Sequence, residues 1–207
     1  MTYMKTITLG LTGIFCSYFL VTQSQNKQQD LGGMKEDMNT MLDKTATTYA
    51  KAKVDFNAYE KLVAEVKEHR AKRLVSLDDF LKMSNEENTI ILDTRSDNMY
   101  ERRHVKGAKH LSFTNFTQRN LDRLLRNKDL RILIYCNNNF DGDDETLPTK
   151  AAGPSNLMNN GKELTLALNI PTYINLYGYG YQNVYELDEL VNVNDSRIKF
   201  EGTDVSN

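Results

Sequence analysis

Two periods of hydrophobic and polar positions alternate along most of this chain. From Leu74 onward, short apolar runs are separated by stretches whose apolar residues recur three and four apart. That is the pattern of strands alternating with helices. Arg73-Leu74-Val75 reads as a short strand. Ser76 followed by Asp79 is a helix-start signal, and Leu77, Phe80 and Leu81 give that helix its apolar face. Thr89 to Leu92 predicts a buried strand, Ser96 to Arg103 a short helix, and Ala108 to Phe113 a further strand. Residues 116–126 form an amphipathic helix through Leu121, Leu124 and Leu125. Arg131 to Tyr135 is apolar after its first residue and belongs at the sheet centre, where both faces are covered. Residues 137–160 read as a long loop. Residues 161–177 read as a helix that Pro171 kinks or restarts and Gly178 stops. Val184 to Leu187 is the last strand.

This order predicts an α/β domain of three layers, a mostly parallel sheet flanked by helices, over residues 74–200. In such sheets the chemistry lies at the carboxyl ends of the strands. Ahead of it, residues 25–73 read as a polar linker followed by a helix over 54–72. On that helix Tyr59, Leu62, Val63 and Val66 share one face. Packing on the following domain is the first expectation for that face, and docking a partner is the second.

The first residues predict a targeting segment. Lys5 supplies a positive start, and the apolar run from Ile7 to Val21 is short of the ~20 residues of a membrane span. Small residues at Thr22 and Ser24 place a cleavage after Ser24, making residues 1–24 a signal peptide and the protein an exported one. An uncleaved membrane anchor is the alternative. Cys16 lies inside the apolar run behind Phe15, which does not suit lipidation.

Charge narrows the partners. The chain has 26 Lys and Arg against 28 Asp and Glu, so no basic excess points to nucleic acid or an anionic membrane. There are two cysteines, Cys16 and Cys136. Loss of the leader would leave Cys136 alone, without an internal disulfide partner. A lone thiol in an oxidising compartment needs a reason, although a buried free cysteine is often a plain packing residue. Cys136 also sits directly after the most apolar strand.

Three motifs now coincide. Asp93-Thr94-Arg95 follows a strand, with Tyr100 and His104-Val105-Lys106-Gly107-Ala108 beyond it. Ile132-Leu133-Ile134-Tyr135-Cys136 is a strand ending in cysteine. Gly180-Tyr181-Gln182-Asn183-Val184-Tyr185-Glu186-Leu187 closes the pattern. In this order the chain resembles the rhodanese-like family, and with its Asn-rich loop an exported bacterial subgroup of it. The resemblance implies a rhodanese-like fold and sulfur transfer. Cys136 would be the nucleophile, taking sulfur from a donor such as thiosulfate as a persulfide and passing it to a small or protein thiol acceptor. It implies no cofactor and no metal. Loop N–H groups from Asn137, Asn138, Asn139 and Phe140 would cradle the anion and lower the thiol pKa, with Asp93 and Arg95 bracing the loop.

The loop departs from the family pattern. The family places a basic residue at the fifth position after the cysteine, and here that residue is Asp141, with Asp143, Asp144 and Glu145 following. One such charge at ~6 Å and an effective dielectric near 20 is worth on the order of 3 kcal/mol, or roughly two pK units on a thiol. Thiosulfate should therefore bind less well than to a basic loop. Asn137 to Asn139 offer left-handed backbone or neutral side-chain donors, or form a plain polar turn. Lys150 or Arg95 are the cations that would replace the missing one. His104 reads as structural. The acidic cluster lacks the alternation of an EF-hand. A catalytically inactive binding or regulatory module is the alternative function. A phosphatase or arsenate reductase on the same fold would need a cation where Asp141 and Gly142 stand.

Overall fold

In the computed structural model the described residues are 34–36, 38, 49–153 and 164–205, with the backbone alone for Leu164. The expected signal peptide, most of the linker, and residues 154–163 of the expected loop and helix lie outside them. The chain divides into Met1–Val54 and Asp55–Asn207, and the second unit carries the sheet and the cysteine. Among the described residues no helix is long and apolar enough to cross a membrane.

Helix α1, Phe56–Ala71, starts where the Asp55 carboxylate accepts the Ala58 N–H at 2.9 Å. It packs against the last helix and last core strand, burying Val66 and half-burying Leu62. Tyr59 and Val63 stay largely exposed, so the predicted apolar face is only half used. Strand β1 is Leu74–Val75, and α2 is Leu77–Ser84 with Ser76 capping the Asp79 N–H as its sequence predicted. Then come β2 (Thr89–Asp93), α3 (Asp97–Arg102), β3 (His104–Val105) and β4 (Lys109–His110). A 3-10 turn at Phe113–Asn115 leads to α4 (Gln118–Leu125) and β5 (Arg131–Tyr135). After the cysteine a second 3-10 turn, Asn137–Asn139, leads to β6 (Phe140–Asp141) and β7 (Ala151–Ala152). The chain returns through β8 (Leu164–Thr165), α5 (Asn169–Gly178), β9 (Val184–Leu187), β10 (Val191–Asn192) and β11 (Phe200–Glu201).

The main sheet has five parallel strands in the order β1-β9-β5-β2-β4, with β5 at the centre. Successive side chains of a strand point to opposite faces. Ile132 and Ile134 accordingly join the core under α1, α4 and α5, with Leu121, Tyr173 and Leu176. Leu133 and Tyr135 join the opposite core with Leu77, Phe80 and Phe140. This is the three-layer α/β arrangement that the alternating pattern predicted.

Three local expectations are corrected. Only Lys109–His110 of the expected 108–113 strand joins the sheet, because this edge has one neighbour and the chain then turns. The expected 161–177 helix begins at Asn169, and Leu164–Thr165 pair instead with β7. Pro171 sits in the first turn of α5, where its missing N–H costs nothing. The helix stop is Gly180 rather than Gly178. Gly180 has φ +87°, with Tyr181 N–H on Leu176 O and Gly180 N–H on Tyr177 O. A side chain on Gly178 would meet Leu62 of α1 at 3.0 Å.

Candidate active site around Cys136

Cys136 leaves the carboxyl end of the central strand with no exposed surface. Its Sγ accepts the Leu168 N–H at 3.3 Å, and the neighbouring Asn137 N–H also favours its thiolate. Burial pushes its thiol pKa up. Those two N–H groups and the charges of Lys150 and Arg95 pull it part of the way back. The expected depression of the thiol pKa is therefore corrected. The dipoles expected from the loop are present, but desolvation outweighs them.

The three asparagines have separate tasks. Asn138 pairs with the main chain of Lys150 in both directions, its Oδ1 accepting at 2.7 Å and its Nδ2 donating at 2.9 Å. Leu166 N–H then bonds to Lys150 O, which brings Leu168 back over the sulfur. Asn139 Oδ1 accepts from Cys136 N–H at 2.9 Å and from Asn169 Nδ2 at 2.8 Å, while its Nδ2 donates to Leu187 O at 2.7 Å. It ties the loop to α5 and to the end of β9. Asn137 is fully buried, with Oδ1 held by Arg95 Nη1 at 3.1 Å.

The expected cradle of four loop N–H groups is not how the chain is arranged. Asn139 N–H bonds to Cys136 O and Phe140 N–H to Asn137 O, because the segment winds into a 3-10 turn. None of the three asparagines uses the left-handed region. Phe140 belongs to the core, edge-on to Tyr135 and Phe200, with its backbone paired to β10. The hydrogen-bond donor on the sulfur comes instead from Leu168, 32 residues on. The sequence signal for it was faint: Asn169-Ile170-Pro171 marks a helix start, and a helix start offers free N–H groups.

Asp93 and Arg95 stand behind the loop, both buried. Arg95 Nη2 reaches Asp93 Oδ2 at 2.7 Å, its Nε contacts both carboxylate oxygens at 3.1 Å, and its Nη2 also meets Arg103 O. The Tyr135 hydroxyl donates to Asp93 and accepts Val105 N–H at 3.0 Å. Burial first, then the Asp93 charge, push the Tyr135 pKa well above its usual value, so it stays a donor.

The acidic stretch is taken up by other partners or by solvent. Asp143 pairs with Arg103 at 3.1 Å and caps its own turn through Thr146, and Glu145 pairs with Arg102 at 2.8 Å. Burial works against the Asp143 carboxylate, but its hydrogen bonds with Thr146 hold its pKa low. Asp141 and Asp144 are exposed. His104 and His110 stack on the two faces of Tyr100, at 3.8 and 4.4 Å. Among the described residues no group of three or more His, Cys, Asp or Glu is placed to hold a metal ion.

A cavity of about 260 Å³ opens beside the loop. Its wall includes Asn138, Asn139, Ala167, Asn169 and Leu187. It also includes the buried Glu186, held by Arg70 of α1 through two bonds of 2.6 Å.

The sequence matches the family described as Rhodanese-like domain over residues 76–189. No curated protein matches the chain. Among solved structures it is similar to the BH2092 protein from Bacillus halodurans, at 20% identity and a TM-score of 0.41, covering 68% of this chain and 87% of that one. The family match spans more than half of the chain and holds the cysteine loop with its Asp93–Arg95 brace, and the chain belongs to the rhodanese-like domain family.

Proposed function

We propose that this protein is a sulfurtransferase or persulfide carrier with Cys136 as the sulfur-bearing nucleophile. One observation carries the reading. The only thiol among the described residues leaves the central strand with the Leu168 N–H on its sulfur, and with the Asn137 N–H, Lys150 and Arg95 each favouring its thiolate. These contacts favour negative charge on sulfur, against the burial that opposes it. In the reaction the Cys136 thiolate attacks the sulfane sulfur of a donor. The donor's S–S bond breaks, sulfite or a thiolate leaves with the electron pair, and Cys136 holds a persulfide. An acceptor thiol or other thiophile then takes the outer sulfur. Asp93 and Arg95 hold the loop in register. Donor and acceptor are a small sulfur compound and a small or protein thiol. Export by residues 1–24 is part of the same proposal.

A second reading is favoured by a separate observation, the complete burial and raised pKa of the thiol. In it the domain is an inactive binding or regulatory module and Cys136 a packing residue. Intact mass after incubation with thiosulfate or glutathione persulfide separates the two. A gain of one sulfur, absent from Cys136→Ala, supports the carrier. A wild-type mass unchanged by every sulfane donor leaves the binding module.

A further inference from the structure

Among the described residues, four buried side-chain nitrogens have no hydrogen-bond partner: Arg73 Nη1, Arg103 Nε, Arg131 Nε and Asn137 Nδ2. The first three are single nitrogens of guanidinium groups with other contacts: Arg73 lies over the Tyr185 ring, Arg103 pairs with Asp143 and Arg131 with Glu86. Asn137 Nδ2 is the one amide, and it belongs to the residue next to the thiol. An orphaned buried donor costs on the order of 1–3 kcal/mol, which a polar turn on the surface would not bear.

The rest of Asn137 is committed. Its main-chain N–H favours the Cys136 thiolate. Its Oδ1 is fixed by Arg95 Nη1, and a guanidinium only donates, so the amide cannot be turned end for end. Arg95 is itself locked by the fork on Asp93. The buried chain Asp93–Arg95–Asn137 thus ends in one NH₂ group, on the residue that follows the nucleophile, with nothing to bond.

We propose that Asn137 Nδ2 is a substrate-binding donor, held for the outer, negatively charged sulfur of a Cys136 persulfide. The inference rests on the sulfur-carrier reading and deepens it, by assigning a side-chain amide to the place where charge appears after transfer. In the transfer the bond between the donor's two sulfurs breaks, and the new S–S bond forms on Cys136 Sγ. The terminal sulfur keeps the negative charge and accepts the Nδ2–H. A neutral donor suits this site, where the acidic stretch supplies no cation. Arg95 and Asp93 act as positioning residues, through the orientation they give the amide.

The test compares wild type with Asn137→Asp and Asn137→Ala. The aspartate keeps an oxygen for Arg95 and exchanges the NH₂ for a second oxygen. The alanine removes the donor without adding charge. Each protein is exposed to glutathione persulfide or thiosulfate. The one-sulfur adduct is then followed by intact mass, at a pH giving equal thiolate fraction in each alkylation profile. Both variants should form or hold the adduct roughly tenfold or more less well, the worth of one hydrogen bond to a charged acceptor. At matched thiolate fraction, thiol alkylation by iodoacetamide should fall far less than adduct formation, since the donor acts on the outer sulfur only. Equal adduct lifetimes in wild type and either variant with an unchanged thermal melt would overturn the role of Asn137 and leave sulfur transfer standing. A wild type that never gains sulfur sinks the parent reading and this one with it.

Discussion

Arg95 is a guanidinium with almost no water around it, and its environment explains why two residues apart in sequence act as one. Asp93 neutralises it and fixes its plane, and its remaining reach goes to Arg103 O and Asn137. Removing one partner of such a pair leaves the other charge buried and alone. Arg95→Met should therefore cost about 3–5 kcal/mol of stability, read from urea midpoints at constant m-value. Cys136 supplies a second test at this scale. A thiol whose pKa is raised by folding holds its proton more tightly in the folded chain than in the unfolded one. Its contribution is intact below the unfolded thiol's value, near 8.5, and is lost as pH climbs from there through the folded value. Wild type should thus lose more stability than Cys136→Ala between about pH 8 and 10, and alkylation should report a pKa above 8.5. Equal slopes in the two proteins would show that burial does not govern the thiol.

At the scale of elements, the cysteine loop is held by what comes back to it. Asn138 takes Lys150, Leu166 N–H takes Lys150 O, and Leu168 N–H takes the sulfur. The acidic stretch is drawn outward by Arg102 and Arg103 at the end of α3. That same end is clamped by the C-terminal segment, since Thr203 and Asp204 donate to Glu101 O and Arg102 O. Gly202 makes the clamp possible. It has φ +139°, and a Cβ there would lie 2.3 Å from Arg102 O, against backbone that cannot swing aside. Gly202→Ala should cost at least ~1–3 kcal/mol, a loss of several degrees in Tm, and free the last residues to proteolysis. An unchanged melt would mean that β11 and its turn contribute little.

Across the whole molecule, the unit that packs together is larger than the stretch that matches the family. The match begins at residue 76, whereas α1 belongs with the sheet and covers one of its cores. Val66 is buried there, His69 bonds to Tyr173, and Arg70 neutralises Glu186, which is 3% exposed. A chain begun at Leu74 would keep every family motif and lose both the cover of α1, with Val66, and the cation of Glu186. It should be less stable than a chain begun at Asp55 by at least ~3 kcal/mol in urea titration. Equal midpoints would show α1 to be an appendage.

What the sequence determined by itself is the part governed by local pattern. The strand order of apolar runs, the Ser76 cap, the place of β5 at the centre and the three family motifs all follow from residue periodicity and neighbours a few positions apart. So does the location of Cys136 at a carboxyl end, because a parallel strand at the centre leaves its end at one edge. The tertiary structure alone decided the thiol's surroundings. Leu168, Lys150 and Arg95 reach the sulfur's neighbourhood from 32, 14 and 41 positions away, and no local pattern encodes such an approach. The sign of the thiol pKa shift went with them. Desolvation depends on how completely the returning chain covers the sulfur, and the count of nearby carboxylates in the sequence says nothing of where those carboxylates point.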